Sequence, residues 1–454
     1  MPTLFLSRAL LPDGWSDEVL LDVDAHGRIL SVTTGAAPPP GAQRVAGVTL
    51  PGVGNLHSHT FQRGFAGLTE RRGAADDHFW TWRDAMYRFV AHLTPEDIEA
   101  IAAMAFVEMI ESGFSAVAEF HYLHHGVDGQ PYGDPAELSR RIVAAAKITG
   151  IGLTLLPVFY AHAGFGGGPP SSGQRRFICD LDLFARLHAS AGDAVATLPV
   201  GGIGIAPHSL RAVTAAELRH LLDHHPHGTV HLHIAEQERE VAECRETTGM
   251  RPVDWLLGHV AVGPRWCLIH ATHMTEGETR RLAATEAVAG LCPITESNLG
   301  DGIFPATDFI AAGGRYGVGS DSNVQVSLRD ELRTLCYSQR LRDQARNRLA
   351  TPDRSSGRML FDAAAAGGAQ ALDLPIGAIA PGRQADLVVL DPDDPALIGR
   401  TGDAVLDAWI FAAPRSPVRD VYLGGRRVVE AGRHAARPAV EAAFRLAMTR
   451  LAGI

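Results

Sequence analysis

Apolar strand patterns alternate with helical patterns eight times in this 454-residue chain, and this alternation constrains its fold more than any other feature. Eight repeats of strand and helix are what a (β/α)8 barrel of the TIM type requires. A doubly wound open sheet would normally bring a glycine-rich phosphate loop, which the sequence lacks. We therefore predict an α/β fold built on a barrel over residues 49–374. Its predicted strands are Thr49 to His59, Ser115 to Leu123, Ile151 to Tyr160, Gly202 to Leu210, Thr229 to Glu236, Arg265 to His273, Ala287 to Ser297 and Arg315 to Asn323.

The two ends of the chain share a second pattern, short alternating runs of apolar and polar residues separated by turn residues such as Gly424-Gly425. The simplest assembly joins residues 1–48 and 375–434 in one small β-sandwich domain formed by both chain ends. A C-terminal helix is predicted over residues 438–454. The predicted strands of the two ends are Leu4 to Ala9, Glu18 to Val23, Arg28 to Val32, Ala385 to Asp391, Ala408 to Phe411, Val418 to Leu423 and Arg426 to Val429.

Charge and cysteine content narrow the class of protein. A formal net charge of -10 argues against a nucleic-acid partner, which would favour a basic surface. The five cysteines are scattered and form no Cys-x-x-Cys pair, which suits a reducing compartment. The first residues lack the layout of a signal peptide, and no apolar run approaches the roughly 20 residues that span a bilayer. We expect a soluble cytoplasmic protein without a membrane partner.

Histidines gather at the predicted carboxyl ends of the strands, where enzymes with this fold place their active sites. His57 and His59 alternate along the first strand and so face the same way. The His-x-His pattern alone means little, because 21 histidines in this chain produce it about once by chance. The other strand ends carry Glu119, His121, Tyr122, His208, Arg211, His233, Glu236, His270, His273 and Asp321. A rim of this composition predicts a metal site.

The metal ligands that we predict are three imidazoles and one carboxylate, from His57, His59, His233 and Asp321. This nitrogen and oxygen set suits Zn²⁺, with Fe²⁺ or Mn²⁺ as alternatives. His231 lies one step deeper on the strand of His233, so we interpret it as a core or supporting residue.

These motifs resemble the amidohydrolase superfamily. The resemblance rests on His57-x-His59, on His233-Ile234-Ala235-Glu236, on His270 and on Ser320-Asp321-Ser322-Asn323. The His-x-x-Glu pattern on the fifth strand is similar to the mononuclear deaminase branch. The only lysine, Lys147, falls in a helical pattern, so no lysine ends a strand where it could bridge two metal ions.

Longer motifs resemble one family of that branch, the formimidoylglutamate deiminases. They span residues 55–63, 78–83, 119–125 and 207–211. The resemblance implies a homodimer with one divalent metal per subunit. The implied reaction is the hydrolysis of N-formimino-L-glutamate, a dicarboxylate amidine, to N-formyl-L-glutamate and ammonia, a step of histidine breakdown. A metal-activated water would attack the amidine carbon.

Residue roles follow from this resemblance and from the chemistry of the substrate. His270 and Asp321 would orient the water and take its proton, and Glu236 would carry a proton to the departing nitrogen. Arg211 is our first choice for a substrate carboxylate, because a guanidinium binds a carboxylate with two hydrogen bonds. Supporting candidates are Gln62, Arg83, Tyr122 and His208.

Other interpretations remain open at this point. Strand alternation lets only one of His121 and Tyr122 face the pocket, and the resemblance favours Tyr122. Trp80 and Trp82 are interpreted as packing residues. A mononuclear deaminase of guanine or cytosine type is the alternative enzyme, and a non-catalytic scaffold on the same fold is a third hypothesis.

Overall fold

The computed structural model of the chain describes residues 3–72 and 77–452, and seventeen strands lie within these ranges. In chain order they are β1 (Thr3–Leu11), β2 (Gly14–Val23), β3 (Ile29–Thr33), β4 (Gln43–Pro51), β5 (Val53–Ser58), β6 (Phe114–His121), β7 (Gly152–Phe159), β8 (Gly201–Ile203), β9 (Ala206–Pro207), β10 (Val230–Ile234), β11 (Trp266–His270), β12 (Val288–Leu291), β13 (Arg315–Val318), β14 (Leu387–Leu390), β15 (Val418–Leu423), β16 (Arg426–Glu430) and β17 (Arg433–His434).

Fourteen α-helices are described in the same ranges, with short 3-10 or π-helical segments at Thr60–Phe65, Ser172–Gln174 and Ala408–Ala412. None of the described helices is both long and apolar enough to cross a membrane. The helices are α1 (Phe79–Val90), α2 (Pro95–Ser112), α3 (Glu137–Thr149), α4 (Leu181–Val195), α5 (Ala215–His224), α6 (Glu238–Thr248), α7 (Pro252–His259), α8 (Glu276–Ala283), α9 (Pro293–Leu299), α10 (Ala306–Ala311), α11 (Leu328–Asp343), α12 (Ser356–Leu372), α13 (Ala404–Asp407) and α14 (Arg437–Leu451).

The parallel strands form a closed barrel. β5, β6, β7 and β8 pair in this order, and β10, β11, β12 and β13 pair in the same way. β9 continues the line of β8, and together they form the fourth strand of the barrel. Two parallel bridges, Ile205 to Val230 and Ser209 to His233, join this fourth strand to β10. A third bridge, from Ser58 to Asp321, closes the circle between β5 and β13. The predicted α/β class with a (β/α)8 barrel is confirmed.

Strands from both chain ends pair in one eight-stranded sheet, in the order β17-β16-β15-β14-β4-β1-β2-β3. β4 pairs parallel with β1 and antiparallel with β14, so the N-terminal and C-terminal segments meet along β4. Leu4, Leu21, Leu387 and Val389 belong to a buried cluster of this sheet that is separate from the barrel core. Burial of these side chains holds the two chain ends together.

Helix α2 shows how local sequence sets an element that supports the barrel. The Thr94 hydroxyl accepts the Asp97 N–H, and the Asp97 carboxylate accepts the Thr94 N–H, with Pro95 at the first helical position. The helix ends at Gly113, whose φ of 109° suits glycine. The C-terminal helix α14 packs against α2, and its Arg437 pairs with Glu111 at 2.6 Å.

The structure corrects several predicted boundaries. The predicted strand Thr49 to His59 is two strands, because β4 ends at Pro51 in the small sheet and β5 begins in the barrel. The run Ala287 to Ser297 is strand only to Leu291 and continues as α9, which begins at a proline. Residues 453–454 of the predicted C-terminal helix lie outside the described residues.

The predicted strand Ala408 to Phe411 is wrong, because these residues continue the helix α13 as one wider helical turn. Trp409 is fully buried against Phe361 of α12, with ring centroids 6.0 Å apart. A short apolar run fits a buried helix as well as a strand, so periodicity could not separate the two.

Candidate metal centre and its cavity

Four ligand atoms meet at the carboxyl end of the barrel. His57 lies in β5, His59 directly follows it, His233 lies in β10, and Asp321 comes just after β13. The Nε2 atom of His57 lies 3.2 Å from that of His59 and 3.1 Å from that of His233. Asp321 Oδ1 lies 3.5 Å and 3.4 Å from the Nε2 atoms of His57 and His59. These are the four residues that the sequence predicts as ligands.

The hydrogen bonds of the histidines show which ring atoms are free to bind a cation. His59 Nδ1 lies 2.8 Å from the Phe120 carbonyl, and His233 Nδ1 lies 3.0 Å from the His208 carbonyl. Because a carbonyl only accepts, each Nδ1 carries the hydrogen and each Nε2 presents a lone pair. Burial lowers the pKa of His57 to about 3, which keeps this imidazole neutral as well. Converging lone pairs repel one another, so the group fits a divalent cation.

Asp321 contributes the negative charge of this group. Burial opposes its ionisation, but the imidazole of His57 and the neighbouring histidines hold the pKa of Asp321 below its usual range. Asp321 has a backbone φ of 45°, which is unfavourable for a residue other than glycine. Asn323 holds this turn, since its Nδ2 donates to the Asp321 carbonyl at 3.0 Å and to the His59 carbonyl at 3.1 Å.

Glu236 and His270 lie beside the ligand group. His270 Nε2 is 3.6 Å from Glu236 Oε1 and 3.9 Å from Asp321 Oδ2. Burial alone would lower the pKa of His270, but the carboxylates of Glu236, Glu296 and Asp321 raise it to about 10. Burial raises the pKa of Glu236 to about 7. Glu236 can therefore exchange a proton near neutral pH, as a proton carrier must.

Two buried glutamates that sequence reasoning missed hold these groups in place. Glu296 Oε1 lies 3.3 Å from His270 Nδ1. Glu240, on α6, accepts the N–H groups of Ala235 at 3.0 Å and of Glu236 at 3.2 Å. A proline followed three residues later by a glutamate, as in Pro293 to Glu296, is a helix-start signal that could have drawn attention to the first.

A cavity of about 560 Å³, including its opening to solvent, leads to this candidate metal centre. Histidine, glutamate and aspartate residues of the centre form its floor, and aromatic rings of Phe79, Trp82, Tyr87 and Phe177 form part of its wall. All five predicted substrate-binding residues border it, namely Gln62, Arg83, Tyr122, His208 and Arg211.

The two arginines of the cavity have unused donors. Arg211 Nη2 makes one long contact of 3.8 Å with Glu236 Oε2. Arg83 forms no ion pair with a carboxylate in the part of the chain that the structure describes, and the Nε atoms of both arginines are buried without a hydrogen-bond partner there. Gln62 instead donates to the Tyr122 hydroxyl at 2.8 Å. The cavity can therefore accept anionic groups.

Other histidines lie outside the centre. Tyr122 borders the cavity, whereas His121 is buried away from it and neither ring nitrogen has a partner among the described residues. His231 Nε2 donates to the Ala371 carbonyl at 2.8 Å. Lys147 is exposed on α3, and among the described residues no lysine lies at a barrel strand end.

Comparisons with known proteins agree with this geometry. A profile of the amidohydrolase family matches residues 48–428, and a profile described as the N-terminal domain of formimidoylglutamate deiminase HutF matches residues 1–46. Formimidoylglutamate deiminase from Pseudomonas aeruginosa is 54% identical over 450 residues, covering 98% of each chain. An 8-oxoguanine deaminase from the same organism is 31% identical over 397 residues, which are 84% of this chain and 82% of the other.

Solved structures show the same architecture. An amidohydrolase from Brucella melitensis has a TM-score of 0.95 and 50% identity, covering 99% of this chain and 100% of its own. An adenosine deaminase from Xanthomonas campestris with bound zinc has a TM-score of 0.82 and 22% identity, covering 100% of this chain and 98% of its own. This likeness supports the fold alone. The chain therefore belongs to the amidohydrolase family and, within it, to the formimidoylglutamate deiminases.

Proposed function

We propose that this protein hydrolyses N-formimino-L-glutamate to N-formyl-L-glutamate and ammonia. The observation that carries the proposal is that Arg83 and Arg211, with unused donors, border the same cavity as the four-ligand centre. Two guanidinium groups match the two carboxylates of this substrate, and the centre matches its amidine carbon. The relationship to the formimidoylglutamate deiminase of Pseudomonas aeruginosa supports the same reaction.

His57, His59, His233 and Asp321 would hold one divalent cation per chain. When bound, the cation would supply Lewis-acid activation of the attacking water. Three nitrogen atoms and one carboxylate oxygen favour Zn²⁺, with Fe²⁺ as the alternative.

Asp321 and His270 orient the water on one side of the amidine carbon. Asp321, ionised by its histidine neighbours, accepts a proton as the water oxygen bonds to carbon. His270 lies between the two carboxylates, with its Nε2 3.9 Å from Asp321 and 3.6 Å from Glu236, and keeps them apart. Glu236 binds the amidinium as a carboxylate, takes the remaining proton of the added hydroxyl group and delivers it to the nitrogen that leaves, while the proton on Asp321 returns to solvent. In the net reaction water adds its oxygen to the carbon, the C–N bond breaks, and ammonia departs.

The remaining substrate contacts follow from the cavity wall. Arg211 lies close to Glu236, so it would bind the carboxylate nearer to the amidine, and Arg83 would bind the other carboxylate. Gln62, Tyr122 and His208 would supply further hydrogen bonds to the bound molecule. The amidine itself is cationic and would lie against the Glu236 carboxylate.

Ammonia release tests the proposal. The zinc-loaded protein is incubated with N-formimino-L-glutamate, N-formiminoglycine, guanine and cytosine at equal concentration. We expect release from the first compound, much slower release from the glycine compound because it has a single carboxylate, and none from the bases. Turnover of guanine or cytosine without turnover of N-formimino-L-glutamate would overturn the proposal in favour of a heterocycle deaminase. No release from any compound would favour a non-catalytic scaffold.

The setting of the reaction is a further part of the proposal. Family membership supports a role in histidine breakdown in the cytoplasm and a homodimeric assembly. Light scattering of the purified protein checks the assembly, since the mass of one chain is 48.4 kDa. A single-chain mass at working concentrations would contradict the dimer and would leave the reaction unaffected.

A further inference from the structure

The indole ring of Trp80 faces three guanidinium groups. The Cζ atoms of Arg83 and Arg239 each lie 4.5 Å from the ring centroid, and that of Arg211 lies 5.5 Å from it. Arg83 is on the same helix, α1, whereas Arg211 follows β9 and Arg239 lies in the first turn of α6. One ring therefore connects three separate elements at the rim of the barrel.

These three positive charges have few acidic partners. Arg239 pairs with Glu243 at 2.6 Å, but among the described residues Arg211 has a single ion-pair contact, at 3.8 Å with Glu236. Arg83 makes no carboxylate contact within the described part of the chain and also stacks on Tyr87 at 5.4 Å. Like charges at this spacing repel one another, and the electron-rich face of an indole offsets part of that repulsion.

Stacking also determines which atoms of the arginines remain available. A guanidinium that stacks on a ring uses its face, and the N–H groups along its edge stay open. Without the ring, Arg211 could turn from its long contact with Glu236 to a close two-bond pair. Such a pair would engage both Arg211, which binds a substrate carboxylate, and Glu236, which carries the proton.

We propose that Trp80 is a positioning residue that holds Arg83 and Arg211 with their N–H edges open to the cavity, so that the site selects a ligand with two carboxylates. The inference rests on the proposed function for the identity of the substrate. Trp80 is not among the residues that border the cavity, so it acts through the two arginines. A role in packing alone, against Phe79 at 5.0 Å, would affect stability without changing ligand preference.

Ligand binding by the zinc-loaded protein separates the two roles. The variants are Trp80→Leu, which removes the aromatic face, and Trp80→Phe, which keeps a smaller one. The matched control is Trp255→Leu, because Trp255 is also half-buried on a helix and stacks on His259 at 4.3 Å, away from the cavity. Calorimetry measures the affinity for glutarate, a dicarboxylate, and for butyrate, a monocarboxylate of similar length.

We expect Trp80→Leu to weaken glutarate binding about tenfold, as the loss of two partly buried cation–π contacts implies, and butyrate binding by a smaller factor. Trp80→Phe should fall in between, and Trp255→Leu should bind as the wild type does. In turnover, the Trp80 variants should raise KM for N-formimino-L-glutamate more than they lower kcat. Circular dichroism checks the folding of each variant, and Trp80→Phe carries the test if Trp80→Leu does not fold.

Equal glutarate affinity in the wild type and both Trp80 variants would overturn the inference, as would an equal loss for glutarate and butyrate. Failure of the proposed function gives a different result. If the wild type does not hydrolyse N-formimino-L-glutamate but Trp80→Leu selectively loses glutarate binding, the reaction is wrong and the role of Trp80 is supported.

Discussion

Glu296 Oε1 lies 3.3 Å from His270 Nδ1 and accepts the Cys292 N–H at 2.9 Å through the same oxygen. The carboxylate thereby accepts the hydrogen on His270 Nδ1 and turns Nε2 toward Glu236 and Asp321. The helix that carries Glu296 is itself held at its start, because Glu331 Oε2 accepts the Ile294 N–H at 2.9 Å. Two buried carboxyl groups, of Glu296 and Glu331, therefore determine the orientation of one imidazole.

Replacing Glu296 by glutamine should lower kcat by about 10- to 100-fold with little change in KM, because His270 would lose its charged partner while the substrate contacts remain. Steady-state kinetics and the zinc content of the variant check this, and the zinc content should stay at the wild-type value. The matched control is Glu246→Gln, on the exposed side of α6. A Glu296→Gln enzyme with wild-type kcat would contradict the positioning role.

Replacing Asp321 by asparagine should abolish turnover while the fold remains intact. The amide keeps the shape of the side chain but removes the negative charge at 3.4 Å to 3.5 Å from two ligand nitrogens. Zinc content by mass spectrometry should fall, and circular dichroism should match the wild type. Asp308→Asn, on the exposed side of α10, serves as the control. Near-full activity in Asp321→Asn would show that the proton acceptor lies elsewhere.

Replacing Arg211 by leucine should raise KM for N-formimino-L-glutamate by a factor that corresponds to about 2 kcal/mol, the loss of a charge-assisted hydrogen bond. Arg83→Leu should also raise KM for N-formimino-L-glutamate. The fall in kcat should be smaller in both, because neither arginine contacts the reacting carbon in the proposed arrangement. Arg219→Leu, on the exposed side of α5, is the control. An unchanged KM in Arg211→Leu would remove this residue from the substrate pocket.

The strand ends could be predicted from the sequence because they depend on local pattern. His57 and His59 follow one apolar run, and His233 and Asp321 end two others, so alternation places all four on one rim once a barrel is assumed. The Ser58 to Asp321 bridge then joins the first and last strands. A short apolar run does not by itself distinguish strand from helix, because the outcome depends on what the run packs against.

Contacts between segments that are far apart in the chain cannot be predicted from this sequence alone. The sequence predicts a packing role for Trp80, because nothing in residues 78–83 indicates that Arg211 and Arg239 lie against its ring. The sequence predicts Glu296 in a strand, whereas the structure has it in helix α9, 3.3 Å from His270 Nδ1. Both relationships require the barrel to close and bring loops from separate strands together.

The buried carboxyl of Asp386 should make stability depend on pH. It lies between the small sheet and the barrel, where its Oδ1 accepts the Gly424 N–H at 2.8 Å. Burial raises the pKa of Asp386 to about 6. A free aspartate titrates near pH 4, so between these values the folded chain holds a proton that the unfolded chain has released. Raising the pH through this window therefore lowers the free energy of unfolding by about 3 kcal/mol in total.

Asp386→Asn cannot titrate, so the difference in free energy of unfolding between the wild type and this variant should fall as the pH rises from about 4 to about 6 and then level off. Urea unfolding at a series of pH values measures it, and titrations shared by both proteins cancel in the difference. Asp393→Asn, exposed in the loop after β14, should track the wild type at every pH. A difference that stays constant across the window, or rises with pH, would mean that the Asp386 carboxyl is ionised in the folded chain and that an unrecognised partner stabilises its charge.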